Sequence, residues 1–260
     1  MTGRGSPAVE RAAVAALPGG ELRYTLRHAP RARGLRVVIH PERGVVVTVP
    51  ATRAGQADGE RRAQAFLVER ESWLRRHMGR HEAIRAAVLA RGGAADGGEI
   101  PLEGRLHRVR VVPAVSGLRR SDVARFEDEL VVHRVASDRR PDPAILEPWL
   151  RRQAAAAIDT AIARHAPALG VEPSAVTLRD PRTRWGSASR AGRLSFSWRL
   201  VLAPPEALET VVIHELAHLR IFGHGTAFWT LVASRRPDHR TWRRWLHDHA
   251  LELHGALGPG

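Results

Sequence analysis

Cysteine is absent from the chain. Disulfides and thiol catalysis are thereby excluded, and any bound metal has to be held by His and carboxylate groups. Lysine is absent too: all 41 basic residues are arginine, against 27 acidic ones, for a formal charge of +14. A positive balance of that size favours anionic partners such as nucleotides, nucleic acid or acidic peptides. A chain rich in Ala, Arg, Gly and Pro with no Lys also carries the stamp of a GC-rich genome, which accounts for the arginine without any partner. Long apolar runs are missing as well. None approaches the ~20 residues needed to span a bilayer. The apolar stretch 12–17 is too short for the core of a signal peptide, and Pro18-Gly19-Gly20 follows it. A cytoplasmic protein with no membrane partner is expected. No internal repeat is evident. What the chain does have is 43% hydrophobic residues over 260 positions, enough for a real core in one large domain or two small ones.

The most informative stretch is Val211-Val212-Ile213-His214-Glu215-Leu216-Ala217-His218, followed by His224. On a helix, residues i and i+4 share a face, so His214 and His218 present their imidazoles side by side, as two nitrogen ligands of one zinc ion must. Glu215 then leans beside the metal, where it can take a proton from a metal-bound water. The surrounding Val211, Val212, Ile213, Leu216 and Leu219 predict a buried helix, in which His and Glu are costly unless something satisfies them. Helix signals fade at Phe222-Gly223, and Gly is the usual residue past a helix C-terminus. The chain can turn there and bring His224 back as a third ligand. Three His ligands leave the fourth tetrahedral position open, the mark of a catalytic zinc site. With 14 histidines present, the bare H-E-x-x-H pattern also arises by chance. The apolar setting and the third His reduce that chance.

Taken in order, residues 1–20 are Gly-, Ala- and Pro-rich and expected to be loose. Residues 22–26 begin a strand. Segments 35–40 and 45–49, joined by Pro41-Glu42-Arg43-Gly44, predict a β-hairpin. Residues 59–90 predict one long helix or two, with Phe66, Leu67, Trp73, Leu74 and Met78 at helical spacing and Trp73 as a core anchor. A second β region covers 100–112 and 123–135. Arg105, Arg108 and Arg110 there read most simply as a solvated sheet face. Residues 138–143 are polar and Pro-rich, a boundary between domains. A helix over 143–168, strands at 175–178 and 194–198, and helices at 226–234 and 241–254 complete the chain. Trp185, in the Gly/Ser loop 182–189, is either a cleft wall or a core residue anchoring a turn. His77 and His81 lack a third ligand and are expected to be solvated.

Several of these residues resemble a known family. The run Arg184-Trp185-Gly186-Ser187-Ala188-Ser189, then Trp198-Arg199-Leu200, Pro204-Pro205, His214-Glu215-x-x-His218, His224, Phe228-Trp229, Pro237-Asp238 and Trp245-Leu246 is similar to the YgjP-like zinc metallopeptidases. The segment 214–228 is also similar to SprT-like and WLM-type proteases, which act on proteins crosslinked to DNA. The resemblance implies an α+β protein: a β-rich N-terminal region with a helix over 21–138, then a gluzincin-like helical metallopeptidase core with a small β-sheet over 139–257. It implies zinc on His214, His218 and His224, Glu215 as general base, and a peptide or protein substrate. The chain departs from the family pattern at Ala188, where Cys is frequent, at Ser197, where Asn is common, and at His239, where an aromatic hydroxyl is usual. His239 and Arg184 are the candidates for a donor to the oxyanion. The strand at 194–198 is a candidate edge for pairing an extended peptide. Two other functions share these features: a zinc-dependent phosphohydrolase acting on nucleotides, and a DNA-associated protein holding phosphates through its Arg-rich surface.

Overall fold

The computed structural model describes residues 8–40, 43–51 and 55–258. By compactness the chain divides into two units, Met1–Ile84 and Arg85–Gly260. The first holds strands β1 (Val9–Leu17), β2 (Gly20–Ala29), β3 (Arg36–His40) and β4 (Gly44–Pro50), then helix α1 (Gly55–Glu69). Helix α2 (Glu71–Ala90) runs through the division. The strands form one sheet in the order β1-β2-β4-β3. The expected hairpin is β3–β4, antiparallel with Val38 opposite Val46. Its turn residues Pro41 and Glu42 lie outside the described residues, as do residues 1–7.

The looseness expected of residues 1–20 does not hold for β1. Residues 9–17 pair one-for-one with β2 and bury Ala15 and Leu17. Alanine is a weak strand former, so β2 rather than local propensity makes this segment a strand. On the helices, Ala63, Leu67 and Leu74 enter the unit's core. Trp73 does not: it is 36% exposed and stacks on His77 at 4.1 Å. Leu74 occupies the inward position, and its neighbour is turned about 100° away on the helix.

The second unit begins with β5 (Glu99–Leu102), β6 (Arg105–Pro113), β7 (Asp122–Phe126) and β8 (Glu129–Arg134). Their order, β5-β6-β8-β7, repeats the connectivity of the first sheet, with a parallel pair in the middle and antiparallel pairs outside. The tight turns rest on left-handed residues, Glu103-Gly104 and Glu127. The arginines on β6 are partly neutralised in place: Arg110 meets Glu129 at 3.3 Å and Arg105 approaches Asp128 at 3.8 Å. The boundary expected at 138/139 differs from the division in the structure. This sheet shares its core with the helical segment C-terminal to it, Leu130 and Val132 joining Leu146 and Leu150 in one cluster.

Helix α3 (Asp142–Leu169) buries Leu146, Leu150, Ala154, Ile158 and Ala161, a stripe at helical spacing. Gly170 ends it in the left-handed conformation, its N–H bonded to Pro167. Next come β9 (Ala175–Arg179), β10 (Gly186–Ala188) and β11 (Arg193–Ser197), a 3₁₀ turn over Trp198–Leu202, then α4 (Pro205–Ala217), α5 (Thr226–Arg235), α6 (His239–Asp248) and α7 (Ala250–Gly255). Helix α4 starts on Pro205 with Glu206 in its first turn, where proline costs no hydrogen bond and the carboxylate suits the helix dipole. It is buried nearly all round, packed against α3, α5, α6 and β10. Among the described residues no helix is long and apolar enough to cross a membrane.

Candidate metal centre

The apolar character of 211–217 fixes α4 as an interior helix, and that position puts its polar residues against other elements rather than water. The helix ends at Ala217, earlier than the sequence predicts. His218 caps it in helical geometry (φ −66°, ψ −19°), so its relation to His214 is that of i and i+4. The next N–H groups tighten, Leu219 bonding Leu216 and Arg220 bonding Ala217. At Gly223 the backbone turns positive (φ 113°), a conformation side-chain-bearing residues rarely adopt, and the chain reverses toward the helix.

That reversal brings His224 to the pair. Its Nε2 lies 3.2 Å from His214 Nε2, and one ring nitrogen from each of His214, His218 and His224 falls within 4.8 Å of the others. Phe228 is fully buried and meets all three rings, at centroid distances of 4.9, 4.4 and 4.9 Å. His218 donates its Nδ1–H to the Ile221 carbonyl at 3.2 Å, which fixes the tautomer and leaves Nε2 free for a ligand. Burial, reinforced by the charges of His218, His224, Arg243 and His239, lowers the His214 pKa to about 3. Burial likewise lowers that of His218, against the bond to Ile221. Both rings are therefore neutral near pH 7, the form that binds metal.

Glu215, 6% exposed, faces the same space. Burial raises its pKa to about 7, and the positive charge of Arg184 works in the other direction. The cleft between these groups holds about 290 Å³ and is walled by Arg184, Trp185, Gly186, Arg243 and Leu246 with His214, Glu215 and His224. Trp185 thus belongs to the cleft wall, half-buried and stacked on His254 at 5.1 Å. His239 stands apart from the wall. It is 4% exposed, stacks on Trp229 at 5.3 Å, and its Nδ1 has no hydrogen-bond partner among the described residues.

The strand expected to offer an edge, now β11, is the central strand of its sheet, with β10 on one side and parallel β9 on the other. Both its edges are taken. The edge beside the site is β10, a three-residue strand of Gly, Ser and Ala with no β-branched residue to announce it. Gly186 carries it against Glu215 so closely that a Cβ there would stand 2.7 Å from Glu215 Cγ and Oε1. Two more features are not legible in the sequence as they stand in the structure. Arg243 reaches the cleft from α6, one arginine among 41, with nothing in its neighbours to single it out. Arg199, 7% exposed, makes a two-pronged pair with Asp180, Nε to Oδ1 at 2.7 Å and Nη2 to Oδ2 at 3.0 Å. Its Nη1 reaches the Leu253 carbonyl at 3.3 Å. The pair ties the chain after β11 to the loop after β9 and to α7. The Trp-Arg-Leu run marks Arg199 without revealing its partner.

A family model described as YgjP-like, metallopeptidase domain, matches residues 33–249. Searches of curated proteins and of solved structures returned no match.

Proposed function

The chain belongs to the YgjP-like metallopeptidase family, and from that footing we propose that it is a zinc-dependent peptidase, with His214, His218 and His224 as ligands and Glu215 as general base. The observation that carries this reading is the spacing of the histidines. Two nitrogens bound about 2.05 Å from a tetrahedral zinc stand about 3.3 Å apart, and the two Nε2 atoms of His214 and His224 are 3.2 Å apart. Neutral imidazoles suit zinc, copper, iron and nickel alike; three of them with an open fourth position match a catalytic zinc site. A zinc ion held there supplies Lewis acidity, acidifying a water and polarising the scissile carbonyl.

The chain's own groups supply the rest. Glu215 accepts the proton of the attacking water and delivers it to the leaving amine nitrogen. Its burial, which raises the carboxyl's proton affinity, is what a group that must both take and give a proton near neutral pH requires. Arg184, in the cleft wall, is the donor that shares the oxyanion charge, in preference to His239, which stacks on Trp229. The free edge of β10 pairs with the backbone of an extended substrate, and Gly186 lets that edge approach the base.

The test is metal content beside peptide hydrolysis. Wild type is expected to hold one zinc per chain and to lose hydrolysis on chelation. His218→Ala is expected to weaken metal binding by more than the roughly 10–100-fold typical of losing a partner outside the ligand set. Wild-type protein that takes up no zinc on reconstitution would sink the reading. Release of phosphate from nucleotides instead of peptide cleavage, lost in the same variant, would move it to a phosphohydrolase. Gly186→Ala tests the β10 contact. The added methyl displaces the Glu215 carboxyl, and kcat is expected to fall by about 10²-fold, the scale of a 1 Å misplacement, with metal content unchanged. A variant at wild-type kcat would show that the contact does not position the base.

A further inference from the structure

Arg243 lies in the cleft wall with the histidines, yet neither it nor Arg184 forms an ion pair among the described residues. Arg151, Arg164, Arg199 and Arg236, on the same unit, are each paired with a carboxylate. Arg243 is nevertheless held. Its guanidinium carbon sits 4.3 Å from the centre of the Trp229 ring, the distance of a cation stacked on an aromatic face. That ring in turn lies 5.6 Å from His214 and 5.6 Å from His224. A guanidinium on an aromatic plate keeps its N–H fork free, and the fork matches the two oxygens of a carboxylate. The charge of the cleft points the same way. Its lining contains two arginines and a single carboxylate, Glu215, and any cation on the three histidines adds to the positive side.

Resting on the peptidase reading, we propose that Arg243, seated on Trp229, is a specificity residue that binds a substrate carboxylate, so that the preferred substrates are peptides with a carboxylate close to the scissile bond. The stacking distances put the guanidinium within about 10 Å of the ligand rings, the length of about three extended residues at ~3.3 Å each. The carboxylate comes from one of two sources, the free C-terminus or an Asp or Glu side chain within that reach. Trp229 is a positioning residue: it sets where the fork stands and does not itself touch the substrate.

The experiment measures binding without turnover. Zinc-loaded Glu215→Gln protein is titrated calorimetrically with three tetrapeptides of one sequence: a neutral amide with Gln, the same with a free C-terminal carboxylate, and an amide with Glu in place of Gln. At least one acidic peptide is expected to bind about 10- to 100-fold tighter than the neutral one, the range for a hydrogen-bonded charge, and which one identifies the source. Adding Arg243→Gln should close the gap. Arg243→Lys, which keeps the charge and loses the fork, should restore only part of it. Zinc content and thermal unfolding check that each variant is folded and loaded. Equal affinities for the three peptides, or a gap that survives Arg243→Gln, would overturn the inference. Failure of the peptidase reading shows elsewhere: zinc-loaded wild type would bind the peptides and cleave none of them.

Discussion

Glu215→Gln is expected to reduce peptide hydrolysis by at least about 10²–10⁴-fold, the contribution of a positioned general base, while zinc content stays at the wild-type value. The side chain keeps its shape and loses its basicity, and it is not one of the three clustered ligands. Turnover measured beside metal analysis checks this; a variant with wild-type kcat would remove Glu215 from the proton-transfer role. A second consequence has the opposite sign. Burial raises the Glu215 pKa from 4.5 to about 7, so in the metal-free protein the folded state holds a proton that the unfolded state releases between those values. Stability therefore falls as pH rises through that window, by on the order of 3 kcal/mol. Gln has no charge to bury. Metal-free Glu215→Gln is thus expected to melt higher than metal-free wild type at pH 8 and to differ little at pH 4. An inactive variant that is also the more stable one is the signature of a group placed for chemistry against the interest of the fold.

The other large effect concerns Arg199. Substituting Met keeps the apolar stem, removes the fork, and leaves Asp180 and the Leu253 carbonyl without their partner. Breaking a buried ion pair from one side costs about 3–5 kcal/mol. Asp180 retains 26% side-chain exposure, so the lower end, about 3 kcal/mol, is expected, read as a shift in the urea midpoint. The contribution depends on pH. Burial raises the Asp180 pKa, but the Arg199 hydrogen bond and the charges of Arg199, Arg182 and His254 outweigh it, and the net shift is downward from 3.8. The pair is therefore fully effective above pH 3.8 and is lost as pH falls below that value through the folded pKa. The gap between wild type and Arg199→Met should be wide at pH 7 and narrow in strong acid. A gap of constant size would assign the loss to packing, including the contact of Arg199 with the Trp198 ring at 4.4 Å.

The parts of this protein that are legible in its sequence are those where local chemistry and tertiary position agree. The β3–β4 hairpin is written in runs of valine and isoleucine, and helix α4 in an apolar segment interrupted at fixed spacing by His, Glu and His. The third histidine is legible because a glycine two residues past the end of the helical turns announces the reversal. Elements whose structure is conferred by a neighbour are not legible. Residues 9–17, four of them alanine, show no alternation of apolar and polar side chains and become β1 only because β2 pairs with them. Gly186, Ser187 and Ala188 become β10 only against β11. The second sheet repeats the connectivity of the first, yet no repeat is visible in the residues, since many side-chain sets satisfy one pattern of strand pairing. Arg243 is hidden for another reason. In a chain where every cation is arginine, a functional guanidinium has no local mark, and only the aromatic ring beneath it and the cleft in front of it set it apart.

The three clustered histidines are mechanically uneven. Two of them, His214 and His218, belong to a buried helix and its cap, whereas His224 is exposed and follows the glycine at which the chain reverses. If the proposed zinc binds there, the two helix histidines are the rigid part of its seat and His224 is the part that can yield. Loss of that zinc would start with release of His224 toward solvent. Residence time of that zinc is then expected to depend on the Gly223 turn. A side chain at that position, which has no neighbouring atoms to clash with but would be strained at φ 113°, is expected to change how fast the proposed zinc exchanges before it changes how tightly it is held.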